Sequence, residues 1–286
     1  MNIRVFAWVA PILLQCSQPA FTQTIACSPI DGVEAVLGNA GVFIGDMHGS
    51  VQSPAFLSAL ACHAVKSGRA LVVAMEYDAR DQPVLDQFLR MADETKAVAA
   101  LTATAHWTGN RDGRASAAMR DALLEIRRLA RAGKQVKLVA YDLEVTTMSE
   151  RDRKSADLIR RIRSDGNSAA FWIVFGGNVH ARKTKGLPIS NAPAGVEDRE
   201  TLGYLIRDWG LIHLNATYRG GTGWACTGPS PDNCTTVNLG PECTTDCPAH
   251  PVIRLQHTDP AYDGVYDVGK MTVSGPLRWE GKSRQR

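Results

Sequence analysis

Val42-Phe43-Ile44-Gly45-Asp46-Met47-His48 begins with three apolar residues and ends on an imidazole. A short run that is apolar without alternation reads as a strand buried on both faces. The pattern returns three times downstream: Leu71-Val72-Val73-Ala74-Met75-Glu76-Tyr77-Asp78, Leu138-Val139-Ala140-Tyr141-Asp142, and Trp172-Ile173-Val174-Phe175-Gly176-Gly177-Asn178-Val179-His180. These runs predict strands over 42–44, 70–75, 136–141 and 171–175, with a fifth over 211–216 and a sixth over 252–255. Helical spacing fills the gaps. One helix covers 54–66, with Ser53 as cap and Gly68 after its end; Pro83 opens another with Val84, Leu85, Phe88 and Leu89 on one face. A long amphipathic helix covers 114–132, and Ser149-Glu150-Arg151-Asp152 resembles a capping box for a helix to about Arg163. Buried strands separated by helices predict an α/β fold: a mostly parallel sheet with helices on both faces, and the site at the carboxyl ends of its strands.

The remaining chain fits one such unit. Its 286 residues are 44% hydrophobic and 21% charged, enough for a sizeable core and unlike a disordered or heptad-built protein. The formal charge of +3 comes without a dense Lys/Arg block. Arg127, Arg128 and Arg131 read as the exposed face of a helix, so the charge pattern calls for no nucleic-acid partner and no anionic membrane.

The first residues read as a leader. Arg4 is the sole charged side chain before Asp31; residues 5–14 are an apolar run, and Ala20-Phe21-Thr22 offers a small-x-small cleavage site. This predicts a secretory signal peptide over 1–22 and an exported, periplasmic or secreted domain over 23–286. A lipoprotein box at Leu13-Leu14-Gln15-Cys16 is spoiled by the bulk of Gln15. No second run reaches the roughly 18 apolar residues of a membrane helix, so no stable membrane span is expected. The cysteines agree with export. Beyond Cys16 there are six: Cys27, Cys62, Cys226, Cys234, Cys243 and Cys247. They predict up to three disulfides, with Cys27 pairing Cys62. The other four staple a Gly- and Pro-rich loop at about 222–250, either in local order or nested. A four-cysteine metal site is the rival, but the spacings lack the Cys-x2-Cys pairs that structural zinc prefers.

The strand ends carry the chemistry. Four apolar runs deliver His48, Glu76, Asp142 and His180 toward one edge. Strands must end in polar residues somewhere, so one such case means little. Two of seven histidines placed this way, with a glutamate between, predict a shared site. Each of the two follows a glycine by three positions, which would let the backbone turn and aim the ring. Two imidazoles and a carboxylate can hold one divalent ion with a position left for water. Without metal, a histidine or Glu76 acts as general base, and Asp142 or Asp46 orients an imidazole through its other nitrogen. His106 and Trp107, before the turn at 110–114, read either as a lid with Arg114 or as an ordinary loop. His63, His213, His250 and His257 read as packed or surface residues. Gly-x-Ser-x-Gly, His-Glu-x-x-His and phosphate-loop motifs are absent.

Gly45-Asp46-Met47-His48 and Gly177-Asn178-Val179-His180, with Glu76 between them, resemble the Tiki / erythromycin-esterase-like / ChaN-like superfamily. Trp107, Asp142 and Arg151-Asp152 extend the resemblance over about 40–185, with weaker agreement at Asp263-Gly264-Val265. The resemblance implies an α/β fold with its site at the strand ends, and His48, Glu76 and His180 as that site. It implies one of three activities: metal-dependent proteolysis, ester hydrolysis, or haem or iron binding. A hydrolase acting on a small-molecule or peptide substrate is the first expectation. A haem-binding protein using the same edge with Tyr77 is the alternative. Asp46 departs from the glutamate of many relatives, and the Cys-rich segment has no counterpart in the resemblance.

Overall fold

All four apolar runs form strands, each longer than its apolar centre: β1 (Gly41–Asp46), β2 (Leu71–Asp78), β3 (Val136–Asp142) and β4 (Phe171–Gly177). The structure is a computed structural model that describes residues 25–145, 147–187, 198–226, 233–256 and 258–277. The further strands are β5 (Leu211–Thr217), β6 (Thr222–Cys226), β7 (Cys234–Asn238), β8 (Val252–Leu255) and β9 (Gly264–Asp267). The helices are α1 (Glu34–Leu37), α2 (Gln52–Lys66), α3 (Gln82–Arg90), α4 (Glu94–Thr102), α5 (Ala105–Gly109), α6 (Ala117–Arg131), α7 (Met148–Ser164) and α8 (Leu202–Leu205).

Seven strands form one sheet in the order β3-β2-β4-β1-β5-β9-β8, parallel except for the last pair. Alternate residues of each strand enter different cores. Val42, Ile44, Val73, Met75, Ile173 and Phe175 pack with Phe56, Leu60, Leu123 and Ile126 from α2 and α6. Phe43, Val72, Ala74, Trp172 and Val174 pack with Ala156 and Ile159 of α7 on the other face. Burial on both faces explains the unbroken apolar runs. Each large aliphatic or aromatic side chain removed from water there contributes roughly 1.5–3 kcal/mol.

The helix starts differ from the expected ones. α2 begins at Gln52, and Ser53 is no cap: its backbone N–H donates to Ser50 Oγ. α6 begins three residues after Arg114, capped by Ser116, whose hydroxyl accepts from the Met119 N–H. Thr147, rather than Ser149, caps α7. Arg127 is not on an exposed face. It is buried, lies over the Phe88 ring and donates to the carbonyls of Phe88 and Met91, which are orphaned at the end of α3.

β9 falls where no apolar run signals a strand. The Cys-rich stretch is more ordered than a loop, because its Thr-rich arms pair as the antiparallel hairpin β6–β7. The disulfides are Cys27–Cys62, Cys226–Cys234 and Cys243–Cys247, the local order, so the clustered cysteines form bonds and not a metal site. Closing the Cys27–Cys62 loop is worth about 4 kcal/mol in the chain-entropy model. Reduction should therefore lower the melting temperature by several degrees. An unchanged melting curve with dithiothreitol would contradict this.

The expected leader at 1–22 lies outside the described residues, as does His257. No described helix is long and apolar enough to cross a membrane.

Candidate active site

Three adjacent strands, β2, β4 and β1, bring Glu76, His180 and His48 to one edge. Their glycines work by leaving space, not by turning. Gly45, Gly176 and Gly177 are not among the glycines with positive φ. A Cβ on Gly177 would lie a tight 3.2 Å from His48 Nε2 and in ordinary contact, 3.5 Å, with His180 Cδ2.

The geometry is two histidine–aspartate pairs facing one carboxylate. His48 Nδ1 donates to Asp46 Oδ2 at 2.8 Å, and its Nε2 lies 3.6 Å from Glu76 Oε2. His180 Nδ1 donates to Asp152 Oδ1 at 2.5 Å, and its Nε2 lies 3.8 Å from Glu76 Oε1. Glu76 Oε2 also accepts from the Gly177 N–H at 2.8 Å.

Two guanidiniums complete the floor. Arg114 Nη1 donates to Glu76 Oε1 at 3.0 Å and to Asp142 Oδ2 at 3.1 Å. Arg151 Nη2 donates to Glu76 Oε1 at 2.5 Å and to Asp142 Oδ2 at 2.6 Å, while its Nε donates to Asp142 Oδ1. Arg151 Nη1 sits 3.4 Å from His180 Nε2. A guanidinium can only donate, so in the neutral ring the His180 proton is on Nδ1 and Nε2 presents a lone pair.

Charge states follow from these partners. Burial would lower the His48 pKa, but Asp46 and then Glu76 outweigh it and hold it up at about 10. Burial would raise the Glu76 pKa, but Arg114, His180 and His48 keep it well below the usual carboxylate range. At neutral pH His48 is an imidazolium and Glu76 a carboxylate.

The expected site residues part company here. His48, Glu76 and His180 are brought together. Asp142 is adjacent but orients no imidazole, since its oxygens are taken by Arg114 and Arg151. Asp46 and Asp152 do that work, and Arg199 Nη2 holds the second oxygen of Asp152 at 2.8 Å. Asp152 lies on the buried stripe of α7 with Ser155, Ala156 and Ile159, a helical period that marks it as inward-facing. Arg199 has no comparable signal. Trp107 is no lid: it is buried, edge-on to Tyr77. Arg114, from the same expected lid, is instead part of the floor.

A divalent ion does not fit the donor set. Glu76 Oε1 is covered by two guanidiniums, and Oε2 faces a peptide N–H. Among the described residues no three His, Cys, Asp or Glu side chains are grouped to hold a metal. Tyr77, the residue expected to serve a haem, is not free to do so. Tyr77 is 2% exposed, stacked on His106 at 3.7 Å, with its hydroxyl toward the Arg114 carbonyl.

Beside the floor opens a cleft of about 430 Å³, lined by Arg114, Asp142, Arg151, His106, Asn110 and Met148 among others. Burial, then Arg114, lowers the His106 pKa to about 4, so this wall histidine is neutral.

The fold is that of the erythromycin-esterase-like structures. A mutant of the erythromycin esterase EreC, in its open conformation, aligns with a TM-score of 0.56 at 12% identity, covering 84% of this chain and 93% of that one. A succinoglycan biosynthesis protein aligns with a TM-score of 0.54 at 9% identity, over 85% of this chain and 91% of that one. The haem-bound ChaN of Campylobacter jejuni reaches a TM-score of 0.35 at 12% identity, over 73% and 91%, too low to carry an argument. At these identities the likeness is one of fold. No protein-family model matches the chain, and no curated protein matches it.

Proposed function

We propose that the chain is an exported hydrolase that cleaves an ester or amide bond without a metal. The observation that carries this reading is the pair of aspartate-oriented imidazoles turned toward one carboxylate. His180 Nε2 takes a proton from water as the water oxygen bonds to the substrate carbonyl carbon. Arg151 Nη1, beside that nitrogen, stabilises the oxyanion. As the intermediate collapses, the carbon–oxygen or carbon–nitrogen bond breaks and His48 gives its Nε2 proton to the leaving group. Products are an acid and an alcohol or amine. The proton left on His180 passes to bulk water and His48 regains one from it, which restores both rings. An erythromycin esterase shares the fold, which makes ester hydrolysis the first reaction to try. Three disulfides accord with a periplasmic or secreted protein.

The test is a panel of small-molecule esters and peptides, assayed with and without chelator across pH. Turnover should survive chelation and should fall as pH rises through about 10, where His48 loses its proton. His48→Gln should remove that alkaline limb. Turnover abolished by chelator and restored by a divalent ion would overturn the metal-free reading.

A further inference from the structure

The Cys-rich hairpin meets the site through one residue. Trp224, at the middle of β6, donates its indole Nε1–H to the Arg111 carbonyl at 2.7 Å and its backbone N–H to the Gly49 carbonyl at 3.2 Å. Gly49 directly follows His48, and Arg111 precedes Arg114 by three positions. The contact is close on every side. A Cβ on Gly49 would lie 2.4 Å from Trp224 Cβ, one on Gly113 would lie 2.4 Å from the Gly49 Cα, and one on Gly275 would lie 3.1 Å from the indole ring. Gly49 and Gly113 also sit at φ of 78° and 93°, where other residues are strained. The backbones bearing His48 and Arg114 thus touch each other and share one indole. Cys226, two residues on, places its Sγ 3.6 Å from the same Arg111 carbonyl and is bonded to Cys234 directly across the hairpin.

We infer that Trp224 is a positioning residue, which fixes the loop carrying Arg114 against the turn carrying His48 and so sets Arg114 on Glu76. The hairpin and its Cys226–Cys234 bond are then a working part of the site. This inference rests on the hydrolytic reading for its kinetic consequence, but not for its structural one. A floor guanidinium displaced by an ångström loses its alignment with the reacting atoms, for which rates fall by roughly ten- to a hundredfold.

The test uses the whole oxidised protein with two alterations. Trp224→Phe keeps a ring between Gly49 and Gly275 and deletes only the indole donor. Cys226→Ser with Cys234→Ser frees the hairpin and leaves Trp224 in place. Amide exchange at Arg111 to Arg114 should quicken in both at least tenfold, with the rest of the sheet protected as before. On any ester or peptide that the wild type turns over, kcat should drop about tenfold or more at unchanged KM in both, with the melting temperature unchanged in Trp224→Phe and lowered by a few degrees in the serine pair. Wild-type exchange at Arg111 to Arg114 in both variants overturns the inference, as does quickened exchange with unchanged kcat. A wild type that hydrolyses nothing on the panel defeats the hydrolytic reading instead, and the exchange rates then decide the positioning role alone.

Discussion

His180→Gln should lower kcat by about 10²–10⁴-fold, the range contributed by a positioned acid or base, and should leave the melting temperature nearly unchanged. Glutamine can keep a donor toward Asp152 but supplies no lone-paired ring nitrogen beside Arg151. His48→Gln and Glu76→Gln should each cost a similar factor, and the double variants little more, because the three side chains serve one reacting site. Asp152→Asn provides an independent check. An amide in place of the carboxylate favours the other His180 tautomer and turns the lone pair away from the water. The measurement is kcat per folded molecule, with melting curves on the same samples. Full specific activity in His180→Gln would end the shared-site reading.

Arg151→Ala should destabilise the protein by about 3 kcal/mol at neutral pH. The side chain is 14% exposed and bridges Asp142, 19% exposed, to Glu76, 6% exposed, so its loss leaves two largely buried carboxylates with Arg114 as their remaining guanidinium. Breaking such a pair costs more than forming it gains, because the surviving charge stays desolvated. The pH dependence has a definite sign. Glu76 is held below its ordinary value of 4.5 in the fold, so its share of stability is present above that value and disappears as pH falls through the folded one. The gap between wild type and variant should be widest above about pH 5 and narrow on acidification. Urea unfolding at pH 7 and pH 3 would show it. An equal gap at both, or one below about 1 kcal/mol at pH 7, would contradict the account.

The parts of this molecule legible in the sequence are those where one physical cause acts alone. Strands buried on both faces must be apolar throughout, and β1 to β4 are visible for that reason. The grouped residues His48, Glu76 and His180 are visible because they lie at or just past the carboxyl ends of those strands. The helix starts at Ser116 and Thr147 are blurred because several nearby residues are equally able to cap. Arg127 misleads because a guanidinium on a helix usually faces water, while here it satisfies the carbonyls at the end of another helix. Asp152 takes the role expected of Asp142 for a tertiary reason: the path of α7 brings it to His180 Nδ1, while Asp142 is held by Arg114 and Arg151. β6 and β7 carry too little apolar surface to signal strands, since their order comes from backbone pairing and a covalent cross-link.

The position of β1 bears on how the chain reaches this state at all. Gly41 lies beside Trp172 on one side and Leu211 on the other, so the earliest strand of the sheet has both its partners in the later half of the chain. Synthesis and folding therefore cannot keep pace. Until the polypeptide has been made past β4, its first strand has no ladder to join, and its second ladder arrives only with β5. Loops of this span must close before their contacts give anything back, which places folding in the millisecond-to-second regime rather than the microsecond one. It also means that a chain stalled or cut before β4 leaves its first strand without either of its ladders.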